Sequence, residues 1–334
     1  MRVARADFEE GVADVEREVT DPRAGICGPD SASWLVGRES ALFLGAGAAS
    51  LLQLAHPYVA QALAEHSRTR ADPMMRFQRT FFHVYRVSFG DLGHAVASSR
   101  QIFSIHERVH GVLGEALGRY PRGHGYEALD ADALYWVYAT LVHGALQAFQ
   151  LFVRPLTQTE RDRYVTESHR FARLFGVPRS MLPGSHAEFT RLWSDWIDSD
   201  RLAVGTVARD IAHFLLHPPR AIPRAIGVSY RPITRALLPP RFRDAFGPAS
   251  RADAIVLQSV AAMARTLYPT LPTRVRYVPA YHDAKRRLAG LTSRDAVSHW
   301  IHRRALQVVL GQIVVSTRFK SMNTIINSAK RCQE

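Results

Sequence analysis

The sequence predicts an all-α protein built as a single large helical domain. Apolar residues recur three and four apart along most of the chain, and alternating stretches long enough for strands are few. Helix-starting side chains stand immediately ahead of the periodic runs. At 334 residues and 47% hydrophobic, the chain has ample material for a large buried core.

The segments follow in order. Residues 1–33 read as an amphipathic first helix and a lead-in, because MRVARADFEEGVADVEREV alternates charge and lacks the apolar centre of a secretory signal. A helix is expected over 38–54, where Gly45, Ala46, Gly47, Ala48 and Ala49 would let a neighbouring backbone or a flat ligand come close. Pro57 starts the next helix, which runs to about 65. Asp72-Pro73 supplies an N-cap and a proline at the first helical position for a helix to about 87, and Gly90 ends it. Asp91 caps a further helix expected to pass through His106 and His110 to about 117, with 118–125 as a loop.

A long aromatic-rich helix is expected over 130–152, then 157–175 with its stop at Gly176-Val177-Pro178, then 185–199 and 201–216. The stretch 217–248 is rich in Pro and Arg. It is the natural place for a break between an N-terminal catalytic portion over 34–216 and a C-terminal helical cover over 217–316, with helices near 250–268, 278–289 and 294–316. Residues 317–334 form a polar tail.

Lys and Arg number 43 against 30 Asp and Glu, a formal charge of +13. Such an excess raises the question of anionic partners. The arginines are scattered through most of the helices, and no zinc-finger or RNP signature is present, which argues against nucleic acid and leaves peripheral contact with an acidic membrane surface as an alternative. The apolar run 41–55 is too short to span a bilayer and ends at His56-Pro57, so it reads as a core helix and the protein as cytoplasmic. Cys27 and Cys332 are too few for a disulfide framework or a thiolate metal site.

Fifteen histidines are present. Of these, His83, His94, His143, His213 and His299 lie inside helical segments, where a hydrogen-bonded structural role is the ordinary one. His106-Glu107-Arg108-Val109-His110 is a literal H-E-x-x-H. On one helical face, two imidazoles four apart would bind zinc and the glutamate would activate water. No third His or Glu of the extended zinc motifs follows it. Alternatively, a single neutral imidazole on a helix is the minimum protein ligation that haem iron needs. Upstream, Arg76 and Thr80 stand one turn apart on one face, an arrangement able to bind an acidic propionate and a second polar atom. An ordinary surface arginine is the competing reading of Arg76.

An ordered set of pieces decides between these. Leu51-Leu52-Gln53-Leu54-Ala55-His56-Pro57 is followed by Glu65-His66-Ser67, by Asp72-Pro73 with Arg76-x-x-x-Thr80, by Phe89-Gly90, and by His106-x-x-Val109-x-Gly111. The stretch from Trp34 to Gly114 resembles the core of the superfamily that contains the rubber oxygenases (latex clearing proteins), the mycophenolic-acid-pathway oxygenase and many bacterial proteins. The similarity continues through Tyr164 to Pro183 and fades beyond about 220. The resemblance implies a helical fold, non-covalent haem b, a histidine axial ligand, and dioxygen chemistry on an apolar, often isoprenoid, substrate. It assigns the iron ligand to His106 and the haem contacts to Arg76 and Thr80. Where rubber oxygenases can carry a Lys able to ligate the distal iron face, this chain has Arg79, which stays protonated and is a poor ligand. That leaves Arg79 and Glu65 as the catalytic candidates on the distal side, with a capping or salt-bridging glutamate as the plainer reading of Glu65. The expected protein is a haem b oxygenase acting with dioxygen on a hydrophobic unsaturated small molecule. A haem-binding or sensing protein without turnover and a zinc hydrolase are the alternatives.

Overall fold

A computed structural model describes residues 1–67, 73–217, 224–247 and 250–309, and gives the backbone alone for 73–78, 224–229 and 305–309. The helices are α1 (Arg5–Glu18), α2 (Ala32–Gly37), α3 (Phe43–Leu54), α4 (Pro57–His66), α5 (Pro73–Phe89) and α6 (Leu92–His106). A two-stranded antiparallel hairpin, β1 (His110–Val112) and β2 (Gly125–Glu127), interrupts them. Then come α7 (Ala131–Phe152), α8 (Gln158–Leu174), α9 (His186–Asp198), α10 (Thr206–Leu216), α11 (Arg224–Ala236), α12 (Pro240–Ala245), α13 (Arg251–Leu267), α14 (Thr273–Arg276), α15 (Pro279–Leu288) and α16 (Ala296–Val309). The structure is thus a large, mostly helical domain, as the periodicity predicts.

Side-chain caps set many of the starts. Asp91, Asp130, Thr157, Ser185 and Ser250 each accept a hydrogen bond from a backbone N–H in the first turn of the helix that follows, satisfying donors that have no intrahelical partner. Thr157 and Ser250 belong to full capping boxes with Glu160 and Asp253. Gly90 follows the last residue of α5, and the cap expected at Asp72 lies outside the described residues.

α7 forms the centre of the core, with Leu134, Tyr135, Trp136, Tyr138, Ala139, Val142, Leu146, Ala148, Phe149 and Phe152 all buried. Trp136 stacks on Trp193 and Trp196 of α9, with centroids 5.1 and 5.6 Å away, and its indole N–H donates to the Leu52 carbonyl at 2.7 Å. That bond satisfies the one polar atom of a large buried ring. The small residues of α3 have a packing explanation. A Cβ on Gly47 would lie 2.4 Å from the Thr234 hydroxyl and 2.9 Å from the Tyr230 hydroxyl, so α11 uses that space. Residues from 217–248 therefore join the main core: Ile233, Leu237, Leu238, Phe242 and Phe246 are buried in the same cluster as α3 and α7.

Among the described residues, no single helix is long and apolar enough to cross a membrane. The segments Ser40–Leu54 and Pro57–His66 reach the required length and composition only together, and they meet at a bend of 99°. Six residues of α3, including Leu51, Leu52 and Leu54, are buried inside the protein.

Candidate functional site

α5 and α6 form a helical hairpin joined by Gly90 and Asp91. Asp91 caps α6 through the His94 N–H at 2.7 Å, and its other oxygen meets His94 Nδ1 at 2.7 Å. His83 Nδ1 and the Ser98 hydroxyl are 2.7 Å apart across the hairpin. With 83 level with 98, the antiparallel register brings the first turns of α5 level with the last turn of α6. The backbone of Arg76 and the half-buried His106 therefore share one end of the hairpin. Among the other helical histidines, His143 stacks on Trp193 at 3.9 Å, His213 on His217 at 4.4 Å, and His299 meets Asp283 at 2.7 Å. These are structural roles.

α6 ends at His106, not near 117. This corrects the expected helix and removes the geometric basis of the zinc reading. The Val109 N–H turns back to the His106 carbonyl at 3.0 Å, and the Val109 carbonyl accepts from Ala128 at 2.9 Å. His110, Gly111 and Val112 then pair with Glu127, Tyr126 and Gly125 as strands. His110 is exposed on β1, so the two imidazoles do not share a helical face. Glu107 is also committed, since both its oxygens accept from the Arg5 guanidinium. The physical cause is tertiary: β-branched Val109 and Val112 favour extended backbone, and a partner strand takes the hydrogen bonds that a helix would have used. The turn residues Pro121 and Gly123, between two short β-prone stretches, were the available signal.

His106 itself sits edge-on to Phe175, with centroids 5.9 Å apart and planes at 85°. Glu65 lies in the last turn of α4. It accepts from the Tyr126 hydroxyl and from the Gln61 amide at 2.6 Å, and His66 Nε2 lies 3.8 Å away. Partial burial works against its charge, but the bonds from Tyr126 and Gln61 outweigh this and hold the carboxyl below its ordinary value. Tyr126 was not foreseen from the sequence. It tethers the hairpin to α4, and it explains the glycine in His106-x-x-Val109-x-Gly111. A Cβ on Gly111 would lie 2.7 Å from Glu65 Oε2 and 2.8 Å from the Tyr126 ring. Gly111→Ala is therefore expected to push the hairpin off α4 and lower unfolding stability by about 1–3 kcal/mol. Urea denaturation measures this, and Gly114→Ala, where an added Cβ meets nothing within 4 Å, is the control expected to change little.

Arg79 is exposed on α5 and Thr80 is half-buried. The side chain of Arg76 lies outside the described residues. The structure thus brings His106, Arg79 and Thr80 to one helical hairpin, and places Glu65 on the neighbouring α4 against the β-hairpin.

Among the described residues, no group of three His, Cys, Asp or Glu side chains gathers as a metal site. Haem iron asks for less, one imidazole from the protein, and His106 is the candidate for that donor. A lone imidazole is compatible with haem and does not make a tetrahedral zinc centre. The opening beside His106, bordered by Arg2, Val109, His110, Glu127 and Leu129, holds about 20 Å³, enough for a water molecule. That space is too small for a porphyrin. A larger cavity of about 260 Å³ lies elsewhere, between Tyr58, Arg119, Tyr120, His124, Asp130 and Asp132. Its charges are paired within the protein: Arg119 donates to Asp132 at 2.8 Å, and Asp130 caps α7.

The sequence profile of one family, described as ER-bound oxygenase mpaB/B′/Rubber oxygenase, catalytic domain, matches residues 33–266. No curated protein and no solved structure matches the chain significantly. The match takes in α3 to α6, the β-hairpin and the aromatic core of α7 and α9, and it continues through α11 and α13, beyond the reach of the sequence motifs. With most of its length matched and a large helical domain in place, the chain belongs to the mpaB/rubber-oxygenase catalytic domain family.

Proposed function

We propose that this protein is a haem b-dependent oxygenase that uses dioxygen to oxidise a hydrophobic unsaturated small molecule of isoprenoid or similar character. Membership in the family carries an oxygenase-type activity in general; the cofactor, its ligand and the substrate class are our reading. The observation that supports it most is the position of His106. A single half-buried imidazole ends α6 at the same end of the hairpin as the α5 turns carrying Arg76, Arg79 and Thr80.

In this reading His106 would hold the iron, Arg76 would pair with a propionate, and Thr80 would offer a hydroxyl to fix the orientation. When bound, haem would supply dioxygen binding and activation, and Arg79, which stays protonated, would not serve it as an amine ligand. Arg79 contributes positive charge on the catalytic side. Glu65, kept ionised by Tyr126 and Gln61, is suited to accept a proton and not to donate one. An apolar substrate would be held by shape and dryness, as in most small-molecule sites.

The test is incorporation of labelled oxygen. Haem-loaded protein incubated with an unsaturated terpenoid under ¹⁸O₂ should yield a product carrying the isotope, and unlabelled product or none from a panel of such alkenes would count against the oxygenase assignment. Arg76→Ala should weaken haem retention at least tenfold, about 1.4 kcal/mol. Thr80→Val, which removes a hydroxyl while keeping shape, should lower product yield with smaller loss of haem. Wild-type haem retention in Arg76→Ala would return that residue to the surface.

A further inference from the structure

Three buried tyrosines, Tyr58, Tyr120 and Tyr126, form a cluster of their own with Leu113 and Ala133, apart from the main core. The ring centroid of Tyr126 lies 6.2 Å from that of Tyr58, and Tyr58 lies 4.9 Å from Tyr120. What sets Tyr126 and Tyr58 apart from packing aromatics is the partner of each hydroxyl. Tyr126 donates to Glu65 Oε2, and the Tyr58 hydroxyl lies 2.8 Å from His124 Nε2. A carboxylate and a neutral imidazole are both proton acceptors. Elsewhere in the core, Tyr138 meets the Ser168 hydroxyl at 2.7 Å, and the Tyr135 hydroxyl has no hydrogen-bond partner among the described residues. A phenol that loses an electron becomes a strong acid, so a tyrosine is readily oxidised only where a base stands ready to take its proton. Glu65, on the side assigned above to catalysis, marks one end of the pair. His124 is exposed and borders the cavity of about 260 Å³ together with Tyr58, Tyr120 and Arg119, which marks the other end.

We propose that Tyr126 and Tyr58 form a relay that carries single oxidising equivalents from the Glu65 side of the protein to the cavity beside His124, where a small phenolic reductant quenches them. The oxidant is a partly reduced oxygen species left when dioxygen activation fails to reach substrate. For that source the inference rests on the oxygenase reading; the relay itself does not. The oxidant takes one electron from Tyr126, whose phenolic proton passes to Glu65. The Tyr126 radical then takes an electron from Tyr58 and recovers its proton from Glu65, while the Tyr58 proton passes to His124. The phenolic reductant gives one electron to Tyr58 and one proton to water, and His124 returns its proton to Tyr58.

The experiment is light-driven oxidation of the full chain without haem. In a Cys332→Ser background, Val112→Cys carries a thiol-linked ruthenium tris-bipyridyl complex. Val112 is exposed on β1, one residue from the Gly111 that pairs with Tyr126. Burial pushes the Cys27 thiol up to about 11 and makes it a poor competitor for the label. A flash in the presence of a cobalt(III) electron acceptor leaves ruthenium(III), a one-electron oxidant. Transient absorption and electron paramagnetic resonance should then show a tyrosyl radical that added p-methoxyphenol removes. Tyr126→Phe and Glu65→Gln should each lower the radical yield at least tenfold. Tyr58→Phe should keep the yield but lengthen the radical's lifetime in p-methoxyphenol at least tenfold, because Tyr126 is 1% exposed and out of the reductant's reach. Tyr135→Phe should change neither. A packing or tethering role moves none of these readings in variants whose circular dichroism is unchanged; if Tyr126→Phe is unfolded, Glu65→Gln gives the same reading. Absence of a tyrosyl radical in the labelled chain, undiminished yield in Tyr126→Phe and Glu65→Gln, or an unchanged lifetime in Tyr58→Phe overturns the proposal. All of these are read without haem, so they stand apart from failure of the oxygenase reading, which the ¹⁸O₂ experiment decides.

Discussion

Lowering the pH from 7 to 5 is expected to destabilise this protein by about 2 kcal/mol for each of two buried imidazoles. His56 is fully enclosed at the start of α4, with Nδ1 accepting from the Tyr58 N–H at 3.3 Å and the rings of Tyr58, Tyr120 and Trp196 around it. Burial is the main reason its pKa falls to about 3, and Arg119 and Arg201 lower it further against the opposing pull of Asp132. His143, stacked on Trp193, is pushed down to about 4 by burial, with His186 adding to the effect. In the unfolded chain both would titrate near 6.5. Between 6.5 and these folded values the unfolded state binds protons that the folded state refuses. Stability is complete above about 6.5 and drains away as the pH falls through that window, by about 1.4 kcal/mol per pH unit for each group. The carboxylates act at lower pH or oppose this loss: burial pushes Glu39 up, so its protonation on acidification works against the destabilisation. Glu18, bound by Arg173, and Glu160, bound by Arg154, have pKa values of about 2, so their losses begin only near the ordinary carboxylate range. Urea unfolding at pH 7, 6 and 5 reads the slope. His56→Asn, which keeps an N-cap acceptor, combined with His143→Phe, which keeps a stacking ring, should flatten it even if its stability at pH 7 is lower. An unchanged slope in the double variant would assign the acid sensitivity to other groups.

His106→Ala should weaken haem binding by at least a hundredfold, about 2.8 kcal/mol, whereas His110→Ala should stay within about twofold of wild type. His106 ends a capped helix and is half-buried against Phe175. His110 projects from an exposed strand position, and its contribution to the hairpin is made by its backbone. Added imidazole should restore an axially coordinated spectrum in His106→Ala, since it supplies the missing donor without repairing any structural defect. Equal damage from both substitutions would revive the paired-histidine reading, and loss confined to His110→Ala would move the ligand.

Most helices were legible because their ends are written locally. The caps at Asp91, Asp130, Thr157 and Ser185 and the proline at 57 each mark a boundary within a residue or two of where it falls. The end of α6 was not legible in this way. His106 to Gly111 satisfies a helical pattern, and what breaks it is a partner strand some fifteen residues later together with Tyr126 closing on Glu65. Such long-range contacts override propensity. For the same reason the small residues of α3 read equally well as a ligand face or a helix contact, and only the fold brings Tyr230 and Thr234 against Gly47. The candidate site was legible as an order of motifs. Its geometry needed the hairpin register that His83 and Ser98 set.

The proposed function requires one haem b held without a covalent bond through His106. The sequence has two cysteines, Cys27 and Cys332, and no attachment motif joining a pair of them to a following histidine. Titration of haem into the purified protein, followed by its Soret absorption and by acid-acetone extraction, tests this most directly. Saturation at one haem per chain is expected, with full release of the colour into acid-acetone. Failure to bind haem saturably, colour that stays with the polypeptide, or stoichiometric zinc in place of haem would contradict it.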